Sequence, residues 1–322
     1  MKKIWPVVVA ICLALFGAVA CASPQPAPTP PAGNTNEIES QTEKLSVYAS
    51  FYPMYDFARK IGGDKAEVVC LTPAGTEPHD WEPAAADIVG LEKAALFVYN
   101  GAGMEHWVDD VLAALSNKEL VAVEASAGVP LLEGGEEEED EEEGHEEEGG
   151  FDPHVWLNPL YAKIEMANIR DAFVRVDPAN SAYYEDNYAQ YAAALDELDG
   201  EFRSALADPP RREIIVAHQA FGYLCAAYGL VQEPIEGLAA DSEPEPARMA
   251  EIIAFAEEHA VSVIFFEELV SPKVAETIAA AVGARTEVLS PLEGLSDEQT
   301  AAGDDYFSVM RQNLAALLTA LQ

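Results

Sequence analysis

Along most of the chain, short apolar runs rich in β-branched and aromatic residues alternate with longer stretches whose apolar positions recur every three or four residues. LSVYASF (45–51), AEVVCL (66–71), ALFVYN (95–100) and LVAVEA (120–125) read as strands, and the segments between them, such as MYDFARKIGG and HWVDDVLAAL, read as helices. That order predicts βα units and a parallel sheet. Helical periodicity then runs from about Leu160 to Arg175 and, after a start signal at Asp177-Pro178, on to about Leu206. Beyond Asp208-Pro209-Pro210 the alternation resumes. EIIVAH (213–218), LVQEPI, VSVIFFE (261–267) and TEVLS are the strand-like runs, with helices over 220–228, 246–259 and 272–282 and from about Asp305. The pattern predicts an α/β protein of two lobes, each a parallel sheet flanked by helices, joined by one long helix. The expected bounds are 45–177 for the first lobe, 178–208 for the linking helix and 209–322 for the second lobe.

Three segments break this pattern. MKKIWPVVVAICLALFGAVAC places two lysines before an apolar run too short for an ordinary spanning helix, which predicts a signal peptide over residues 1–20. Ala18-Val19-Ala20-Cys21 resembles a bacterial lipoprotein cleavage box, so Cys21 is expected to be lipidated and to hold an extracytoplasmic protein on the cell membrane. Residues 21–44, centred on SPQPAPTPPAGNTN, then form a tether that has nothing to bury. The third break is an acidic loop over 133–150, with eleven carboxylates between Glu136 and Glu148 and one histidine, His145. A formal charge of −39 disfavours nucleic acid and favours cations as partners. With Cys12 in the signal and Cys21 at the anchor, only Cys70 and Cys225 remain, and spacing leaves their pairing open.

The candidate chemistry lies at strand ends. Open parallel sheets place ligands beyond the carboxyl ends of their strands. His79 (GTEPHDWEP) follows AEVVCL, His154 (FDPHVWLNP) follows LVAVEA through the acidic loop, His218 ends EIIVAH and Glu267 closes VSVIFFE. Three imidazoles and a carboxylate form an N3O donor set suited to tetrahedral Zn²⁺, whereas Mn²⁺ favours more oxygen. His79 and His154 both sit in a Pro-His-X-Trp segment, where proline stiffens the approach and Trp81 or Trp156 shields the site from water. His106, at a helix start, and His259, at a helix end, are read as structural.

GTEPHDWEP, NGAGMEHW, DPHVWLNP, AHQAFGYLCAAYGL, FFEELVSPKVAETIA and LSPLEGLS together resemble the zinc-binding solute receptors of bacterial ABC metal importers, from about residue 45 to the end. The resemblance implies two lobes on a rigid linking helix and Zn²⁺ as transported ligand. It implies histidine ligands at His79, His154 and His218, a glutamate at Glu267, or Glu268 if the register shifts by one, and an ABC permease as partner. It places Asp241 near the cleft and implies a monomer without enzymatic activity. Manganese receptors of the same superfamily carry a carboxylate where His218 stands and an aspartate near Ser290, so zinc is expected and manganese is the alternative. A surface adhesin and a secreted zinc hydrolase are the remaining readings, and no H-E-x-x-H helix supports the latter.

Overall fold

The computed structural model describes residues 44–134, 150–238 and 244–322. The signal segment, Cys21, nearly all of the tether, the acidic run with His145, and Asp241 lie outside the described residues.

Two parallel four-stranded sheets are present. The first has the order β2-β1-β3-β4, from β1 (Leu45–Ala49), β2 (Ala66–Cys70), β3 (Leu96–Tyr99) and β4 (Val121–Glu124). The second repeats it as β6-β5-β7-β8, from β5 (Glu213–Val216), β6 (Val231–Pro234), β7 (Val263–Phe266) and β8 (Arg285–Val288). Register is fixed by pairs such as Val47↔Val68 and Val47↔Leu96 in one sheet and Ile215↔Glu233 and Ile215↔Ile264 in the other. In each sheet the chain turns back between the two central strands, so the connections after them diverge and leave a crevice at the carboxyl ends.

Helices α1 (Tyr52–Gly62), α2 (Ala85–Leu91) and α3 (Val108–Ala114) serve the first sheet. Helix α4 (Pro159–Val176) begins where the Asn158 side chain accepts the Leu160 amide at 3.0 Å and Pro159 pre-sets the first turn. The helix expected from Pro178 begins as a 3₁₀ turn, Pro178–Asn180, and becomes α-helical as α5 (Ser181–Ala205), 25 residues long. α6 (Gly222–Tyr228), α7 (Pro246–Glu258), α8 (Lys273–Val282), α9 (Asp297–Ala302) and α10 (Tyr306–Ala320) complete the second lobe. The patterning had not indicated α2 and α9, each too short to show a helical repeat. Glycine is required at Gly63, which ends α1 at φ +49°, because a side chain there would strike the Tyr183 hydroxyl. Cys70 and Cys225 are both free. Among the described residues no helix is long and apolar enough to cross a membrane.

The main core is continuous across both lobes. Phe51 meets Trp156 edge-on at 5.0 Å, Phe57 meets Tyr306 in the same way, and Phe202 stacks on Tyr228. Polar ties reinforce it. Lys60 of α1 bonds both oxygens of Asp56, at 2.7 and 2.6 Å, and reaches Asp305 at the start of α10 at 2.9 Å. Removing one partner of such a buried set leaves an uncompensated charge, at a cost of about 3–5 kcal/mol.

One buried acid stands apart. Glu165 of α4 is fully buried, and neither of its carboxylate oxygens has a hydrogen-bond partner among the described residues. Burial, with the Glu105 charge adding to it, pushes this carboxyl well above its ordinary value, so it is held neutral. Unfolding returns Glu165 to its ordinary range, so its contribution is fully present below that range and is lost as pH rises through the folded-state value. Glu165→Gln cannot ionise, and its stability advantage over wild type should grow as pH rises from about 5 to about 8. Urea unfolding with a chelator present checks this, and curves that stay parallel across the range would contradict it.

Candidate metal centre

His218 lies two residues past β5 and Glu267 directly past β7, so both project from the crevice of the second sheet. His154 arrives differently, at the start of a 3₁₀ turn (Val155–Leu157) that leads into α4. The ends of the acidic run are clasped beside it, by the Gly134 amide on the Gly150 carbonyl at 2.6 Å and the Asp152 amide on the Leu132 carbonyl at 3.0 Å. His79 sits in the loop between β2 and α2, where its amide donates to the Glu77 carboxylate at 3.1 Å.

The three rings converge through one edge. His154 Nε2 lies 3.3 Å from both His79 Nε2 and His218 Nε2. The atom that completes the cluster is Glu293 Oε1, at 3.2 Å from His79 Nε2, 2.9 Å from His154 Nε2 and 3.3 Å from His218 Nε2. A tetrahedron with metal–ligand bonds of about 2.0–2.1 Å has edges of roughly 3.3–3.4 Å. Among the described residues, His79, His154, His218 and Glu293 form the group able to share one ion.

Glu267, expected as the fourth donor, stands apart from this group. Its Oε1 accepts from His218 Nδ1 at 2.7 Å, on the opposite edge of the ring from the cluster, and it is absent from the shared group. Glu268 is turned away as well, with its Oε1 taken by the Ser290 hydroxyl at 2.5 Å and by Gln299 Nε2 at 2.9 Å. Glu293 was missed because it stands five residues beyond the end of β8, outside the strand-end rule. Its signal in the sequence is the LSPLEGLS segment.

Two carboxylates set the ring tautomers. Asp152 Oδ1 accepts both the His154 amide, at 2.9 Å, and His154 Nδ1, at 2.8 Å; Glu267 does the same work for His218. Ionised carboxylates only accept, so each Nδ1 carries the proton and a neutral ring presents its Nε2 lone pair to the cluster. Trp156 is fully buried, and its Nε1–H donates to the Pro291 carbonyl at 2.7 Å, which ties the His154 turn to the loop carrying Glu293. Trp81 packs instead against Trp107, at 5.6 Å, with the α3 side of the first sheet. His106 is exposed near Glu82, and His259 lies on Phe255 with ring centroids 4.2 Å apart, so both stand outside the cluster.

Electrostatics favour positive charge at the centre. Burial alone would lower His218, but Glu267 and Glu293 outweigh it and hold the imidazole well above its ordinary value. In His154 burial is likewise overcome, by hydrogen bonds to Asp152 and Glu293. Burial would raise Glu293, yet the His218 charge and bonds from the histidines hold it well below the ordinary carboxylate range. Nitrogen-15 NMR of the histidine side chains should show the neutral forms of His154 and His218 as Nδ1–H tautomers. Neutral rings carrying the proton on Nε2 would contradict this arrangement.

Comparison with known proteins agrees with the geometry. Residues 47–320 match the family described as zinc-uptake complex component A, periplasmic. The chain is 47% identical over 285 residues to the high-affinity zinc uptake system protein ZnuA of Bacillus subtilis, covering 88% of this chain and 89% of that protein. It is 39% identical over 276 residues to the zinc-binding lipoprotein AdcA of Streptococcus pneumoniae, covering 85% of this chain but only 55% of that longer protein. The crystal structure of the Zn(II)-bound ZnuA-like domain of Streptococcus pneumoniae AdcA superposes with a TM-score of 0.75 at 38% identity, covering 86% of this chain and 99% of that one.

Proposed function

We propose that this chain, which belongs to the zinc-uptake complex component A family over residues 47–320, grips its ion with His79, His154, His218 and Glu293. It is an extracytoplasmic zinc-binding receptor for ABC import. The observation that carries the donor assignment is the set of 2.9–3.3 Å separations between Glu293 Oε1 and the three Nε2 atoms, close to the edge length of a tetrahedral zinc shell.

Zn²⁺ is here the cargo. Three borderline nitrogen donors and one hard oxygen suit it better than manganese, which needs more oxygen, and the manganese alternative is not favoured. Capture and delivery require no bond-making in the ion's surroundings, which fits a receptor and not a hydrolase. Lipidation at Cys21, a tether through residue 44, and lobes of 45–177 and 209–322 about a link at 178–208 belong to the same reading, supported by the leader and the helical pattern of the sequence. So do delivery to a permease and a monomeric state.

Alanine at His79, His154, His218 or Glu293 should weaken zinc binding by orders of magnitude in a competitive chelator titration, while His106→Ala leaves it unchanged. Glu267→Gln and Asp152→Asn act through the rings and should cost about 10- to 100-fold. If Glu267→Ala were as damaging as His218→Ala while Glu293→Ala were silent, the donor assignment would be wrong.

Protons and zinc compete for the same Nε2 lone pairs. Because His154 and His218 are raised above the ordinary imidazole value of 6.5, protons compete at higher pH than for a free imidazole. Apparent zinc affinity should therefore fall continuously as pH drops from about 8 to about 5. Isothermal titration at several pH values, with proton release measured from the buffer dependence of the heat, reads this out, and pH-independent affinity would contradict it.

A further inference from the structure

A cavity of about 660 Å³ lies between the lobes, bounded by α1, the loop after β2, α5 and the α9–α10 connection. Its inner wall is Glu293-Gly294-Leu295. Of the four donors only Glu293 faces it; no histidine of the set does. A second space beside Glu293, among Glu77, Glu267 and Glu268, measures about 10 Å³, room for one water. A divalent ion with six waters fills roughly 200 Å³ at about 30 Å³ per water, so the larger cavity admits it and the smaller does not.

The donors also differ in how firmly they are held. The rings of His154 and His218 are pinned from behind by Asp152 and Glu267, whereas among the described residues the His79 ring hydrogen-bonds only through Nε2, to Glu293 and His154. The Glu293 carboxylate meets only the three Nε2 atoms through its Oε1, with no further orienting bond among the described residues. Its backbone is set between Leu292, a non-glycine residue at φ +61°, and Gly294. Leu292 is kept there by its amide on the Ser290 hydroxyl at 3.2 Å and by the Trp156–Pro291 bond next to it. Such a backbone fixes the loop that presents Glu293 at the edge of the cavity. Carboxylates of Asp56, Asp304 and Asp305 line the same cavity as Glu293, against Arg59 and Lys60, and Lys60 is already bonded to Asp56 and Asp305. The remaining field favours a cation.

We propose that this cavity is the passage by which the hydrated divalent cation reaches and leaves the donor set, with Glu293 as the donor that detaches first. The proposal rests on the zinc-receptor reading above. It assigns the cavity a role that the ligand geometry alone does not, and it fixes the order in which the shell opens. The rival path runs past His79, whose side chain is 11% exposed against 0–4% for the other three donors.

The test separates rate from affinity. Thr300 and Arg59 line opposite walls of the cavity, are exposed and touch no donor. Thr300→Trp, Arg59→Trp and the double variant of the full chain are compared with Asp80→Trp, which crowds the path past His79. Zinc loading and loss to excess EDTA are followed by stopped flow, with dissociation constants from a competing indicator. Because arrival and departure share one passage, narrowing it should slow both rates at least tenfold and leave the dissociation constant within about twofold, while Asp80→Trp changes neither rate comparably. Unchanged rates in either folded single variant and in the double variant, or slowing confined to Asp80→Trp, would overturn the passage. Failure of the wild-type protein to bind zinc in a His79-dependent way would instead overturn the receptor reading, whatever the rates.

Discussion

Three imidazole Nε2 atoms crowd one carboxylate oxygen at 2.9–3.3 Å in a buried crevice, and the contacts that join the two lobes hold them there. Lone pairs so close repel unless positive charge sits among them, whether protons on the rings or a metal ion. The carboxylates behind His154 and His218 have two effects here. They fix which ring edge faces the centre, and they supply negative charge that makes a bound cation favourable. Burial raises the stakes, because an unpaired charge in this region costs more than it would at the surface.

A cluster assembled from separate parts of the chain must be held by the scaffold. All four of these side chains come from loops, which on their own would be loose. The first sheet contributes His79 and His154 and the second contributes His218 and Glu293, so the separation of the lobes sets the ligand spacing. That separation is restrained in several ways at once: by a shared apolar core, by the Lys60 bridge from α1 to the start of α10, and by Tyr306, whose hydroxyl donates to the Trp156 carbonyl at 2.7 Å. The backbone around the cluster is thus constrained, and Glu293 Oε1 meets all three rings at its centre.

The sequence made the scaffold and the histidines readable for a physical reason. Parallel strands buried on both faces appear as β-branched runs, and the loops where such runs end carry His154, His218 and His79, which the fold brings together. The same rule leads to a carboxylate outside the cluster. Glu267 closes β7 just as His218 follows β5, and from pattern alone the two look equivalent. What distinguishes them is depth: Glu267 stops behind the ring of His218, while Glu293 reaches the open edge from a loop held by a hydrogen bond from distant Trp156. Long-range contacts of that kind leave no periodic trace, and neither does Glu165, which looks like an ordinary polar position of an amphipathic helix although α4 buries it completely.

The most direct test is where the ion sits. Anomalous diffraction from zinc-loaded crystals, collected on both sides of the zinc absorption edge, should give a single strong peak about 2.0–2.2 Å from Nε2 of His79, His154 and His218 and from a Glu293 carboxylate oxygen. A peak bonded to Glu267, or one bonded to the histidines with Glu293 replaced by water, would contradict the account.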